Sequence, residues 1–209
     1  MNENNRRFGI DIKIITIGNL STGKTSILNR YVNKSFNEHS RATINPEFSY
    51  ELIKINGAIF RIQFWDLPGQ DRSPALTSVF CKDAHGIIFC CEVNNNKSRE
   101  DLIKWEQSLN NMRDISNIPK ILIENKCDLL GENNYEEGLD ELKKFANDNN
   151  FSGSFRASAL NGYNIDTAIK FLINEIVKAL NEDDVRTCKD LDSKKINKKE
   201  LKNNNMRCC

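Results

Sequence analysis

An apolar run from Ile12 to Ile17 is followed at once by Gly18-Asn19-Leu20-Ser21-Thr22-Gly23-Lys24-Thr25, and that octet opens onto a helical pattern. Strand, Gly-bounded turn and helix in that order commit this end of the chain to an α/β arrangement. Such a turn aims several backbone N–H groups at one point, and the helix N-terminus adds partial positive charge. Lys24 then reaches the β/γ-phosphates of a nucleotide as a point charge, and the Thr25 hydroxyl can bind Mg²⁺. Gly18, Ser21, Thr22, Gly23 and Ser26 complete the expected phosphate-facing set. An ordinary strand-turn-helix connection has no packing use for Lys-Thr directly after the second glycine. At average glycine usage the four fixed positions arise by chance in roughly one chain of this length in a hundred.

Composition narrows the remaining choices. At 209 residues the chain suits one domain of ordinary size, able to bury roughly 70% of the surface its unfolded form exposes. Lys+Arg of 30 against Asp+Glu of 29 leaves a formal charge of +1, which gives no reason to propose nucleic-acid binding. Seven cysteines, an odd number without paired Cys-x-x-Cys spacing, argue against a zinc site or disulfide framework and for reduced thiols in a cytosolic setting. Residues 1–10 are polar and read as a flexible N-terminus. Neither a signal peptide nor a membrane span is expected, so membrane attachment would have to be added chemically.

Apolar runs alternate with helix-period segments to about residue 180, the pattern of a mostly parallel sheet covered by helices. Expected strands are Ile12 to Ile17, Phe48 to Ile55, Ile59 to Trp65, Gly86 to Val93, Ile121 to Glu124 and a short one near Phe155. Asn56-Gly57 between the second and third is a hairpin signal and makes that pair antiparallel. Expected helices are Thr25 to Val32, Ser98 to Met112, Tyr135 to Asn149 and Ile165 to Leu180. In the last, Ile165, Ala168, Ile169, Leu172 and Ile176 form a core-facing stripe, with Asn164 as N-cap. Beyond Leu180 the composition turns to Asn, Asp and Lys, which ends the folded domain and leaves residues 181–209 as a flexible tail.

A second motif, Asn125-Lys126-Cys127-Asp128, stands just beyond a strand end, where open α/β sheets place their ligands. A carboxylate at Asp128 can accept both N–H groups of a guanine edge. Adenine presents donors and lone pairs in the wrong places, and buried polar groups left unpaired make that discrimination steep. An ATPase or kinase using the same phosphate loop is therefore disfavoured.

These motifs together resemble the Ras-like small GTPases, and specifically the Rab family, over about residues 11 to 180. The resemblance implies a P-loop NTPase G domain with a six-stranded, mostly parallel sheet, one antiparallel strand and helices on both faces. It implies GTP and GDP as ligands and Mg²⁺ held by Thr25, Thr43 and Asp66. Within Trp65-Asp66-Leu67-Pro68-Gly69-Gln70, Gly69 would meet the terminal phosphate and Gln70 would act as the catalytic residue beside the attacking water. Thr43-Ile44 matches the switch I threonine. Phe36 stands where the family stacks a ring on the base, and Ser158-Ala159, followed by Leu160, matches the loop that touches guanine with Asn125 and Lys126. Phe48, Trp65 and Phe80 match an aromatic triad that shapes the effector surface. Arg41-Ala42-Thr43-Ile44, Phe151-Ser152-Gly153 and Leu20 look most like the Rab branch serving lysosome-related organelles.

The chain ends in Cys208-Cys209, similar to the double-cysteine terminus on which Rabs carry geranylgeranyl groups. From Ser193 to Arg207 six basic residues face Glu200 alone, and two lipid chains with a polybasic stretch anchor stably. The resemblance further implies a monomeric domain that cycles between cytosol and the cytoplasmic face of endosomal or lysosome-related membranes. Its implied partners are an exchange factor, a GTPase-activating protein, a prenyl-binding chaperone and effectors.

Several residues depart from the family pattern. Leu20 would crowd the space that Gln70 and an incoming arginine need, so slow hydrolysis is expected. Pro68 lacks an N–H and biases Leu67 toward extended geometry. Asn45-Pro46, Ser73 and Leu160 also differ from the common residues. None removes a phosphate or guanine ligand. Two readings follow: a GTPase switch in vesicle trafficking, or a GTP-loaded module that recruits effectors with negligible turnover.

Overall fold

The computed structural model describes residues 10–69, 79–112, 114–131 and 134–180. Gln70, Ser73, the first nine residues and the tail with Cys208 and Cys209 lie outside the described residues. Among those described, β1 (Ile10–Ile17), β2 (Glu47–Ile55), β3 (Ala58–Asp66), β4 (Gly86–Glu92), β5 (Lys120–Asn125) and β6 (Gly153–Arg156) form one sheet. Its order is β2-β3-β1-β4-β5-β6. Neighbours run parallel except β2 and β3. The helices are α1 (Lys24–Asn33), α2 (Asn96–Met112), α3 (Leu139–Asp148) and α4 (Ile165–Ala179).

Side-chain alternation along the strands sorts the core into two halves, one on each face of the sheet. Ile12 and Ile14 of β1, Ile88 and Cys90 of β4 and Ile121 and Ile123 of β5 pack with α1 and α4. Ile15 and Ile17, Ile87 and Phe89, and Leu122 face the other way, against α2 and α3. The central strands are buried on both sides, which is why β4 and β5 read as near-continuous apolar runs. Each fully buried Ile or Phe contributes roughly 1.5–3 kcal/mol. The hairpin closes as expected: Ile55 pairs with Ala58 across Asn56 and Gly57, whose φ values of 51° and 86° suit a two-residue turn. The α4 stripe is buried throughout.

Two local expectations need correction. The helix expected from Tyr135 begins only at Leu139, because Gly138 before it is left-handed, with φ 71°. Asn164 does occupy the N-cap position of α4 but makes no side-chain cap: its backbone is left-handed at φ 57°. Its Nδ2 instead donates to the Arg156 carbonyl at 3.1 Å, tying the helix start to the end of β6.

His85, the residue before β4, is hydrogen-bonded to β1. Its N–H donates to the Lys13 carbonyl at 2.8 Å, and Lys13 N–H donates to its Nδ1 at 3.1 Å. Burial holds the imidazole below its ordinary value near 6.5, with Asp83 and Asp11 opposing that. Folding therefore favours the neutral ring. Its contribution is complete above pH 6.5 and is lost as pH falls through the lower folded value. In urea denaturation, the wild type should lose more stability than His85→Gln as pH falls below the mid-sixes, and parallel pH curves would refute this role.

Candidate functional site

β1 is flanked by β3 and β4, and the chain leaves its carboxyl end between the two halves of the sheet, where such folds open a crevice. A cavity of about 450 Å³ lies there. It is lined by Leu20, Ser21, Gly23, Lys24, Thr25 and Ser26, by Phe36 and most of the segment to Thr43, by Gly69, and by Asn125, Lys126, Asp128, Ala159 and Leu160; Gly18, Thr22 and Ser158 stand behind this lining. Five segments separated in sequence thus face one space.

At one end the loop wraps Lys24, which is only 6% exposed. Its Nζ donates to the carbonyls of Gly18 and Asn19, both at 2.9 Å. Burial pulls this ammonium below its ordinary value, while neighbouring Cys90 and Asp66 act against that. A buried cation at the start of α1 is a site prepared for an anion. Thr22 points elsewhere: its Oγ1 donates to the Asn19 carbonyl at 3.0 Å and its side chain is buried, away from the cavity.

Beside Lys24 three oxygens converge. Thr25 Oγ1 donates to Asp66 Oδ2 at 2.6 Å and lies 2.8 Å from Thr43 Oγ1. Thr43 Oγ1 also reaches Asp66 Oδ2, at 3.3 Å. Burial raises the Asp66 carboxyl, and the Thr25 hydrogen bond and the Lys24 charge oppose the rise. Two hydroxyls and a carboxylate are hard oxygen donors, a set that fits Mg²⁺ shared with phosphate oxygens.

At the far end Asn125 joins three loops while being only 1% exposed. Its Nδ2 donates to the Thr22 carbonyl at 2.9 Å, and its Oδ1 accepts the Ala159 N–H at 3.1 Å. The approach is so close that a Cβ on Gly23 would stand 2.2 Å from Asn125 Nδ2. Ser158 is fully buried and its Oγ donates to the Asp128 carboxylate, which it orients. Lys126 is held in place by Glu92 at 3.1 Å. Arg30 of α1 donates to the Ala159 carbonyl at 2.8 Å and to the Leu160 carbonyl at 2.5 Å.

Other neighbours were not legible in the motifs. Asn19 is clamped by α2: its Nδ2 donates to Asp101 Oδ2 at 2.9 Å and its Oδ1 accepts the Trp105 indole N–H at 3.0 Å. Leu129, Glu38 and Arg41 also line the cavity. Leu20 is exposed on the cavity wall near Gly69, where a Cβ on Gly69 would come within 2.6 Å of Leu20 N. Phe48 stacks on Trp65 at 5.4 Å between ring centroids, and Trp65 meets Phe80 at 6.0 Å, so the three rings form one run.

A Gly-bounded loop around a buried lysine, an oxygen cluster and the Asp128 carboxylate share one cavity of a doubly wound sheet, the arrangement of a P-loop nucleotide-binding domain. The family profile of the Ras family matches residues 13–178. The chain is 33% identical to Ras-related protein Rab-32 of Mus musculus over 79% of its length and 75% of that relative. It is 34% identical to Ras-related protein Rab-32A of Dictyostelium discoideum, over 79% and 78%. With Ras-related protein Rab-7L1 of Homo sapiens the identity is 29%, over 82% and 85%. The chain belongs to the Ras family, as a Rab-type small GTPase: a GTP/GDP switch of vesicle trafficking that hydrolyses GTP to GDP. Nucleotide, regulators and effectors are the partners of such a switch, and intracellular membranes are where it works. Nothing in the site or the relatives favours the module without turnover.

Removing the Asn125 amide leaves the Thr22 carbonyl and the Ala159 N–H unpaired, at about 1–3 kcal/mol each. Asn125→Ala should therefore weaken GDP binding by roughly 30-fold or more, measured by displacement of a fluorescent nucleotide. An unchanged affinity would refute its bracing role.

Proposed function

We propose that the cavity holds a guanine nucleotide with its phosphates against Lys24 and the backbone of residues 18–26 and its base against Asp128, Ala159 and Phe36. The observation supporting this is that one cavity is lined by Lys24, Thr25 and Thr43 at one end and by Asp128 and Ala159 at the other. Thr25, Thr43 and Asp66 would hold Mg²⁺, which when bound neutralises charge building up between the phosphates. In the GTP state Thr43 and Gly69 draw toward the terminal phosphate and order the segments around them. Loss of that phosphate releases both. Gln70 orients the attacking water. Effectors read the surface of Phe48, Trp65 and Phe80 in the ordered state.

Residues 11–180 form the G domain in this reading, and the tail carries lipid on Cys208 and Cys209. Among the described residues no helix is long and apolar enough to cross a membrane, and a lipidated tail with basic residues supplies attachment. The likeness to Rab proteins supports an intracellular membrane as the address, and the resemblance of Leu20, Arg41-Ala42-Thr43-Ile44 and Phe151-Ser152-Gly153 to one Rab branch supports an endosomal or lysosome-related one. Exchange factor, activating protein and prenyl-binding chaperone act on the same cycle.

Leu20 and Gly69 line the same cavity, and in this reading the Leu20 isobutyl group crowds the space beside Gln70 and makes intrinsic hydrolysis slow. In single-turnover phosphate release from GTP-loaded protein, Leu20→Gly should speed release by roughly tenfold and Gln70→Leu should slow it by a similar factor, about 1.4 kcal/mol each. Release indifferent to both substitutions would favour the effector-binding module.

A further inference from the structure

Glu124 and Arg156 are register partners at the ends of the parallel strands β5 and β6. Their side chains are 3% and 6% exposed. Arg156 closes a fork on one carboxylate oxygen, with Nε and Nη2 donating to Glu124 Oε2 at 2.8 and 2.6 Å. Arg99 approaches the other oxygen, with Nη1 at 3.5 Å from Oε1. The remaining reach of Arg156 goes to the backbone, its Nη1 donating to the carbonyls of Tyr135 and Glu137.

An ion pair in so dry a place is a poor device for stability alone, since apolar side chains of similar size would do as well or better there. What a planar guanidinium fork adds is geometry. The pair stands directly before both guanine-facing loops. Asn125 follows Glu124, and Ser158 lies two residues beyond Arg156. The backbone carries the register onward: Ala157 N–H donates to the Glu124 carbonyl at 2.9 Å, and Cys127 N–H to the Ala157 carbonyl at 3.1 Å. The next link is the Ser158 hydroxyl on the Asp128 carboxylate.

We infer that the Glu124–Arg156 pair is a positioning device for base recognition, locking the two strand ends so that Ser158 holds Asp128 at the angle that accepts both N–H groups of guanine. The inference rests on the reading of Asp128 as the guanine-edge acceptor. Neither member of the pair touches the base. The pair acts through the two loops, and its loss should blur discrimination at the exocyclic amino group before it loosens the phosphates.

The probes are GDP and IDP, which differ only in that amino group, with GMP reporting the phosphate end. Affinities are measured by competition on the full chain with Mg²⁺. The wild type should prefer GDP to IDP, and Asp128→Ala should abolish the preference. A wild type without preference would sink the reading of Asp128 itself. With that preference established, a Glu124→Leu/Arg156→Met double variant, which leaves neither charge of the pair unpaired, should lose about fivefold or more of it. It should keep the wild-type ratio of GDP to GMP affinity. Arg156→Lys, which keeps the charge without the fork, should lose part of the preference, and it decides the matter if the double variant does not fold. A wild-type GDP/IDP ratio in the folded variant, or an equal fall in the GDP/GMP ratio, would overturn the inference.

Discussion

The side-chain amide of Asn125 is the tie on which the site's geometry depends. One N–H fixes the phosphate loop through the Thr22 carbonyl, and the oxygen fixes the base loop through the Ala159 N–H. Three stretches far apart in sequence thereby share a single buried reference point. Gly23 is needed beside it, since any Cβ there would displace the amide. In the proposed reading, phosphate and base recognition are therefore one mechanical unit, and a nucleotide that satisfied one end would be presented correctly to the other.

The sheet makes that unit possible. β1, β4 and β5 are buried on both faces and hold their carboxyl ends together, so the loops leaving them start from fixed points. α1 packs against one face with α4 and aims its N-terminus at Lys24's surroundings. α2 secures the loop from the other side through Asp101 and Trp105. Of the segments proposed to move, the one around Thr43 is joined to this frame through hydroxyl contacts with Thr25 and Asp66. A Mg²⁺ ion held by Thr25, Thr43 and Asp66, as proposed, would compete for those contacts directly.

Much of this was legible in the sequence because the signals are local. The phosphate loop, the Asn-Lys-x-Asp turn and the Asn-Gly hairpin each carry their chemistry within a few residues, and the α4 stripe follows helical period. What is not legible there depends on partners distant in the chain. The Asn19 clamp joins positions 82 and 86 residues apart, and the Glu124–Arg156 fork spans 32. No periodicity reports such pairings. The late start of α3 escaped for a different reason: Tyr135 to Glu137 have no residue that forbids helix, and only the left-handed backbone at Gly138 breaks it. Asn164 stands at the expected N-cap position, but its amide serves β6 and leaves its own helix uncapped.

The account stands on Lys24 and Asp128 gripping opposite ends of one guanosine nucleotide. Titration of purified protein with GTP and with ATP, Mg²⁺ present in both, measures that most directly. The account predicts that GTP binds more tightly by a factor on the order of a thousand or more. Equal affinities for the two triphosphates would contradict it.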